Sequence, residues 1–160
     1  MTTTTGDYGG ILTRKIEDRS ALIGVVGMGY VGLPFAIEKC KVGFHVMGID
    51  QNPKRVLNLK NGISYISDVP SEAVAQYAQS GHLRAATDFD CIPELDVIVI
   101  CVPTPLTRNL TPDLQFIESV TAAIAPRLRR GQLISLESTT YPGTTEELML
   151  PVLEGSGLKV

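Results

Sequence analysis

The chain has 160 residues, a formal net charge of −3 and a mean hydropathy of +0.15, with 44% hydrophobic and 19% charged residues. That length suits one domain with a single core, burying about two-thirds of the surface of the unfolded chain. The acidic balance offers nucleic acid no basic footprint. No apolar run reaches the roughly 18 residues of a membrane span, and the start, MTTTTGDYGG, lacks the layout of a secretory signal. Neither nucleic acid nor a membrane is therefore an expected partner, and a cytoplasmic protein is expected.

Taken in order, Met1 to Asp7 reads as a flexible tail of Thr and Gly. A leading helix is expected within residues 8–21, with Ile11, Leu12 and Ile16 on its apolar side and Lys15, Glu17 and Asp18 on its solvated side. Its expected job is to cover the sheet or an edge of it. The chain then enters Leu22 to Asp50, LIGVVGMGYVGLPFAIEKCKVGFHVMGID. A branched apolar run leads into Gly27-Met28-Gly29-Tyr30-Val31-Gly32, a helix follows from Leu33 to Lys41, and a second strand, Val46 to Asp50, ends on an acid. This is the outline of a dinucleotide site. Gly27 permits the tight turn, Gly29 lets a pyrophosphate approach the backbone, and Gly32 lets the helix pack on the strand. The helix N-terminus favours the phosphates. Asp50 stands near the spacing at which an acid meets a ribose 2′-hydroxyl, and its charge repels a 2′-phosphate, so NAD is expected over NADP. Helix capping ahead of Pro53 is the other role open to Asp50.

Asn52-Pro53 starts a helix through about Leu59, ended by Asn61-Gly62 in a left-handed cap. Ser71 is expected as the N-cap of a helix from Glu72 to Gln79, before a short strand from Leu83 to Thr87. Leu95 to Val102, LDVIVICV, lacks alternation and reads as a strand buried on both faces, ended by Pro103-Thr104-Pro105. A helix from about Asp113 to Arg130 is expected, with Pro126 a place where it kinks or shortens, and then a strand from Gln132 to Leu136. Glu137 to Gly143 is a polar turn, Thr144 a candidate cap for a last helix, and Leu158 to Val160 the start of a further strand. Strands alternating with helices predict an α/β, doubly wound parallel sheet with helices on both faces. Ligands on such sheets bind beyond the carboxyl ends of the strands. The glycine loop, Asp50, residues 103–105 and residues 137–143 all fall there.

Cys40, Cys91 and Cys101 are odd in number and lack paired spacing, so free buried thiols are expected, with no disulfide framework and no metal site. His45 and His82 are isolated near element boundaries and receive no catalytic role.

GVVGMGYVGLPFA, GID, VIVICVPTPL and LESTTYPGTTEE, in that order, resemble the UDP-glucose/GDP-mannose dehydrogenase family of nucleotide-sugar 6-dehydrogenases, from about Lys15 to Val160. The wording TTYPGTTEE and the leading helix are most similar to the branch acting on UDP-N-acetylhexosamines such as UDP-N-acetylglucosamine. The resemblance implies a Rossmann-type NAD-binding domain, residues 22–160, of an enzyme that oxidises a C6 alcohol to the carboxylate with two NAD. It implies that Gly27, Met28, Gly29, Tyr30, Val31 and Gly32 form the pyrophosphate loop and that Asp50 holds the ribose. Val102, Pro103 and Thr104 would pass beneath the cofactor, with Ser138 and Thr139 near the nicotinamide. Thr139 is the candidate catalytic residue, able to orient the substrate alcohol or a water; ST-turn roles remain open for Thr104 and Thr139. Glu137 receives no catalytic role, since the corresponding place varies in the family.

The family's nucleophilic cysteine, its assisting lysine and asparagine, its central helix and its sugar-nucleotide domain have no counterpart here, and none of the three cysteines matches the nucleophile. The chain therefore resembles an N-terminal cofactor domain, expected to be inactive alone, whose full-length enzyme would be a homo-oligomer. Two other readings remain: a self-standing, non-catalytic NAD-binding or regulatory module, and the cofactor half of a β-hydroxyacid dehydrogenase. VPTPL and STTYPGTT speak against the second.

Overall fold

The structure, a computed structural model, describes residues 6–108 and 110–159. Five parallel strands form one sheet in the order β3-β2-β1-β4-β5: β1 Leu22–Val26, β2 His45–Ile49, β3 Leu83–Ala86, β4 Val97–Ile100 and β5 Leu133–Leu136. Branched residues supply the strands because the pleat accommodates them, and their alternation feeds two apolar layers. Val25, Val46, Leu83 and Val99 enter the layer under helices α2 (Gly32–Lys41), α3 (Pro53–Lys60) and α4 (Ser71–Gln79). Val26, Ile49, Ile98 and Ile100 enter the layer that holds Ile117 and Ile124 of α5 (Gln115–Ile124). Strand order reverses between β1 and β4, so successive units wind to opposite sides and a crevice opens between the carboxyl ends of those two strands.

Local chemistry sets the helix boundaries. The Asn52 side chain accepts from the N–H groups of Lys54 and Arg55, with Pro53 opening α3, and Gly62 behind it takes φ +72°. Helix α4 begins one residue earlier than expected: Pro70 occupies the cap position and its carbonyl accepts from Ala73 and Val74, while the Ser71 hydroxyl accepts from Ser64 N–H. The expected helix through Arg130 stops at Ile124. Pro126 has no N–H to continue the ladder, so Ala125–Arg127 tightens into a 3₁₀ turn and Leu128 turns extended.

The strands are shorter than the apolar runs. Asp50, Thr87 and Gln132 fall just outside β2, β3 and β5. Of the run 95–102, only Val97–Ile100 is strand. Leu95 follows a 3₁₀ turn at Ile92–Glu94 and packs its side chain against the bare Cα of Gly24, and Asp96 turns its carboxylate to the amino end of β1. Thr144 takes the cap position of the last helical segment but makes no side-chain cap bond; its hydroxyl donates back to the Tyr141 carbonyl. Thr145–Met149 forms a π turn in which Leu150 N–H reaches Thr145, and α6 (Leu150–Glu154) follows with Pro151 near its start. Leu158 and Lys159 form no strand, and Val160 lies outside the described residues.

Helix α1 (Tyr8–Glu17), capped by Asp7, buries none of its residues fully. Leu12 packs on the first apolar layer. Lys15 is not on a solvated side: its Nζ lies 2.7 Å from the buried carboxylate of Asp96. Most of the expected tail, 1–7, lies outside the described residues.

Candidate functional site

At the switch point a cleft of about 430 Å³ is lined by the glycine loop, the end of β2, the start of α3, residues 101–103 and the first turns of α5. The loop's geometry rests on which atoms a side chain would displace. Gly27 has φ +92°, its N–H donates to the Ile49 carbonyl at 2.8 Å, and a Cβ there would stand 2.6 Å from the Cys101 carbonyl oxygen. A Cβ on Gly32 would overlap the Gly27 carbonyl oxygen. Gly29 differs, because a Cβ there meets only Arg55 Nη1, at 3.9 Å. Its bareness serves no packing inside the chain and leaves room for a ligand. The first hydrogen bond of the helical ladder runs from Leu33 N–H to Gly29, so the N–H groups of Tyr30, Val31 and Gly32 precede it. A cradle of this shape, at a helix N-terminus, fits a pyrophosphate.

Asp50 is buried and held from three directions. Oδ2 accepts from Met28 N–H at 2.9 Å and from Arg55 Nη1 at 3.1 Å, and Oδ1 accepts from Asn52 N–H at 2.8 Å. A carboxylate has about four acceptor sites, so one remains for a ligand hydroxyl. The capping role falls to Asn52, not to Asp50. Behind the loop, Tyr65 Oη donates to the Met28 carbonyl at 2.7 Å and its ring lies 5.7 Å from the Arg55 guanidinium. Burial, with the nearby Asp50 charge, pushes the Tyr65 phenol up to about 12.

Of the residues singled out in the sequence, the cleft brings together Gly27, Gly29, Tyr30, Val31, Asp50, Val102 and Pro103. Met28 and Gly32 are buried beneath it: Met28 fills the space left by Gly48, whose Cβ would stand 2.8 Å from the methionine methyl. Thr104, Ser138 and Thr139 do not line the cleft. The Ser138 hydroxyl donates to the Val102 carbonyl at 2.8 Å, tying the ends of β4 and β5, and Thr139 is exposed. Sequence reasoning missed Arg55 and Tyr65. The signal for Arg55 was its place in the first turn of a helix that starts beside Asp50; Tyr65 had none, since it lies in a connection. Cys40 and Cys101 are buried, their thiols pushed up by burial to about 12 and about 11, which makes them poor nucleophiles. Cys91 is only partly buried and is also raised, chiefly by burial. His45 and His82 stack at 4.5 Å near the amino ends of β2 and β3. Among the described residues no cluster of three metal-ligating side chains occurs, and no helix is long and apolar enough to cross a membrane.

Residues 21–159 match the model of the UDP-glucose/GDP-mannose dehydrogenase family, NAD binding domain. The chain belongs to this family. The chain is 37% identical over 131 residues to a UDP-N-acetyl-D-glucosamine 6-dehydrogenase of Salmonella typhi, covering 82% of this chain and 30% of the relative. It is 40% identical over 139 residues to an NDP-N-acetyl-D-galactosaminuronic acid dehydrogenase of Ralstonia nicotianae, covering 86% and 32%. The crystal structure of a GDP-mannose dehydrogenase ternary complex from Pseudomonas aeruginosa superposes with a TM-score of 0.80 at 34% identity, covering 86% of this chain and 33% of that one. The chain thus spans about a third of the length of these relatives, and their names carry three different sugars.

Proposed function

We propose that this chain is the cofactor half of a nucleotide-sugar 6-dehydrogenase that oxidises the C6 alcohol of a UDP-N-acetylhexosamine, UDP-N-acetylglucosamine first, to the carboxylate. The observation that carries the reading is the glycine cradle at the switch point, with Gly29 open to the cleft and Asp50 beside it. NAD⁺, when bound, supplies a hydride acceptor, two equivalents of it for a four-electron oxidation. The chain's own groups bind and orient. Gly27 to Gly32 receive the pyrophosphate, with Met28 fixing the loop through Asp50 and Tyr65 and Gly32 admitting the helix. Asp50 accepts from a ribose hydroxyl. Val102 and Pro103, which line the cleft, would underlie the cofactor with Thr104 beside them, and Ser138 holds Val102 through its hydroxyl. Thr139 is the proposed catalytic residue, as a hydroxyl orienting the substrate alcohol.

Cys40 and Cys101 are buried and Cys91 half-buried, and none matches the family's nucleophile, so the second oxidation is assigned to residues outside the chain and the chain by itself is expected to be inactive. The complete enzyme is proposed to be a cytoplasmic homo-oligomer. Calorimetric titration with NAD⁺ tests the reading: saturable 1:1 binding, together with no turnover of UDP-N-acetylglucosamine, is expected. A folded sample that binds no NAD⁺ contradicts it.

A further inference from the structure

Away from the cleft, at the amino ends of β2 and β3, two histidines far apart in the sequence lie face to face. The rings of His45 and His82 stack with centroids 4.5 Å apart and planes within 5° of parallel. His45 opens β2, and His82 follows Gly81, whose φ of +78° turns the chain out of α4 and into β3. The His82 backbone is fixed, since its carbonyl accepts from Val46 N–H at 2.7 Å and from the Cys40 thiol at 3.6 Å. His45 is exposed and His82 half-buried, so the stack borders solvent.

The hydrogen bonds around the stack decide where each neutral ring carries its proton. A carbonyl only accepts, so His45 Nδ1, 3.3 Å from the Gly81 carbonyl, is the protonated nitrogen. The Ser80 hydroxyl has one proton and donates it to the Tyr77 carbonyl at 3.2 Å, so its oxygen accepts from His82 Nδ1 at 3.0 Å. Both rings are therefore Nδ1–H, and each keeps a lone pair on Nε2, for which the described residues supply no partner. A ring that donates one N–H to a neighbouring oxygen and offers its other nitrogen has the second-shell pattern of a metal-ligating histidine. An ion bound to two such nitrogens at about 2.0–2.1 Å each holds them no more than about 4.2 Å apart. A small inward tilt of the exposed His45 ring meets that demand.

We propose that His45 and His82 bind one divalent transition-metal ion of the zinc class through their Nε2 atoms, and so staple the edge strand β3 to β2. Imidazole suits such ions, whereas a pair without carboxylate donors does not suit Mg²⁺ or Ca²⁺. Among the described residues no third metal-ligating side chain joins the pair, so water fills the remaining positions. Strand β3 is four residues long and pairs only with β2, and a link at its amino end reinforces a short ladder. The site lies at the end of the sheet opposite the cleft and does not depend on the dinucleotide reading.

Calorimetric titration of Zn²⁺ into the untagged chain and its variants tests this. One ion per chain is expected in the wild type, with a higher thermal midpoint. His45→Ala and His82→Ala should each weaken binding at least about a hundredfold, because one of two linked ligands is lost. Ser80→Ala should weaken it about tenfold, through the hydrogen bond that fixes His82, and Mg²⁺ should not compete. Ring ¹⁵N spectra of the wild type give a readout that needs no variant. Above the range in which histidine titrates, both rings are expected as the Nδ1–H tautomer, and Zn²⁺ should shift both Nε2 signals together. A wild type that binds no Zn²⁺, binding that survives loss of both histidines or needs only one of them, or an Nε2–H tautomer at either ring would overturn the proposal.

Discussion

Two buried aspartates stand at opposite ends of the sheet and are used in opposite ways. Asp96, ahead of the amino end of β4, accepts from Leu22 N–H at 3.0 Å, Lys15 Nζ at 2.7 Å and Arg129 Nη2 at 2.8 Å. It joins α1, β1, β4 and the approach to β5, and Arg129 also donates to the Pro93 and Leu95 carbonyls. Asp50, past the carboxyl end of β2, also has three partners, but they are two backbone N–H groups and one cation, and that cation looks onto an open cleft. Each carboxylate must be satisfied to be buried at all. At one end the chain supplies every partner, and at the other the proposed reading gives one remaining acceptor position to the cofactor. On that reading the amino ends of the strands serve stability and the carboxyl ends serve recognition.

Removing Asp96 should produce the largest loss. Asp96→Ala removes the shared acceptor of Leu22 N–H, Lys15 and Arg129 and should cost about 3 kcal/mol, read as a lower denaturation midpoint, with NAD⁺ affinity retained wherever the variant is folded. pH sharpens the same contrast. Burial raises the Asp96 carboxyl, but the hydrogen bonds from Lys15, Leu22 N–H and Arg129 outweigh it and hold the group below its ordinary 3.8. Its contribution is thus complete above pH 3.8 and is lost as pH falls through the depressed value, so Asp96→Asn should flatten the acid limb of the stability curve.

Gly29→Val should show the reverse pattern. A side chain there meets only Arg55 within the chain, so thermal stability should hold, while NAD⁺ affinity falls by at least about a hundredfold, near 2.7 kcal/mol. Gly32→Val is its control: the new Cβ overlaps the Gly27 carbonyl, and the loss should appear in folding. Asp50→Ala should weaken NAD⁺ about tenfold, since one hydrogen bond to a charged group is lost from the ligand. Tyr65→Phe should cost about 1 kcal/mol, through the bond to the Met28 carbonyl, divided between folding and binding as calorimetry at fixed temperature would read it. Asp90→Ala breaks only a 3.5 Å surface pair with Arg127 and should stay within about 0.5 kcal/mol.

The half of the molecule written in local patterns was legible from sequence. Apolar runs rich in branched residues located β1, β2 and β4, Gly62 ended α3 in the left-handed region, and the glycine loop announced the crevice, because each depends on residues close in the chain. What escaped depends on distant partners. Lys15 looked solvated because its partner, Asp96, is 81 positions away. Tyr65 lies in the connection between α3 and α4, and the Met28 carbonyl that receives its hydroxyl is 37 positions away. Pro126 was visible in the sequence, and of the two outcomes open to it the structure takes the shorter helix, α5 ending at Ile124. The resemblance places Ser138 near the nicotinamide, and the partner of its hydroxyl, the Val102 carbonyl 36 positions away, is not visible from local sequence. Local grammar names the site, and tertiary contacts determine which of its polar groups remain free.

Amide chemical shifts recorded while NAD⁺ is titrated into the 160-residue chain test the division of labour between the two ends most directly. The account predicts saturable shifts at Gly27, Gly29, Tyr30, Val31, Asp50 and Val102, and little change at Lys15, Leu22, Asp96 and Arg129. Saturable shifts centred on Asp96 and Leu22, with the glycine loop unmoved, would contradict it.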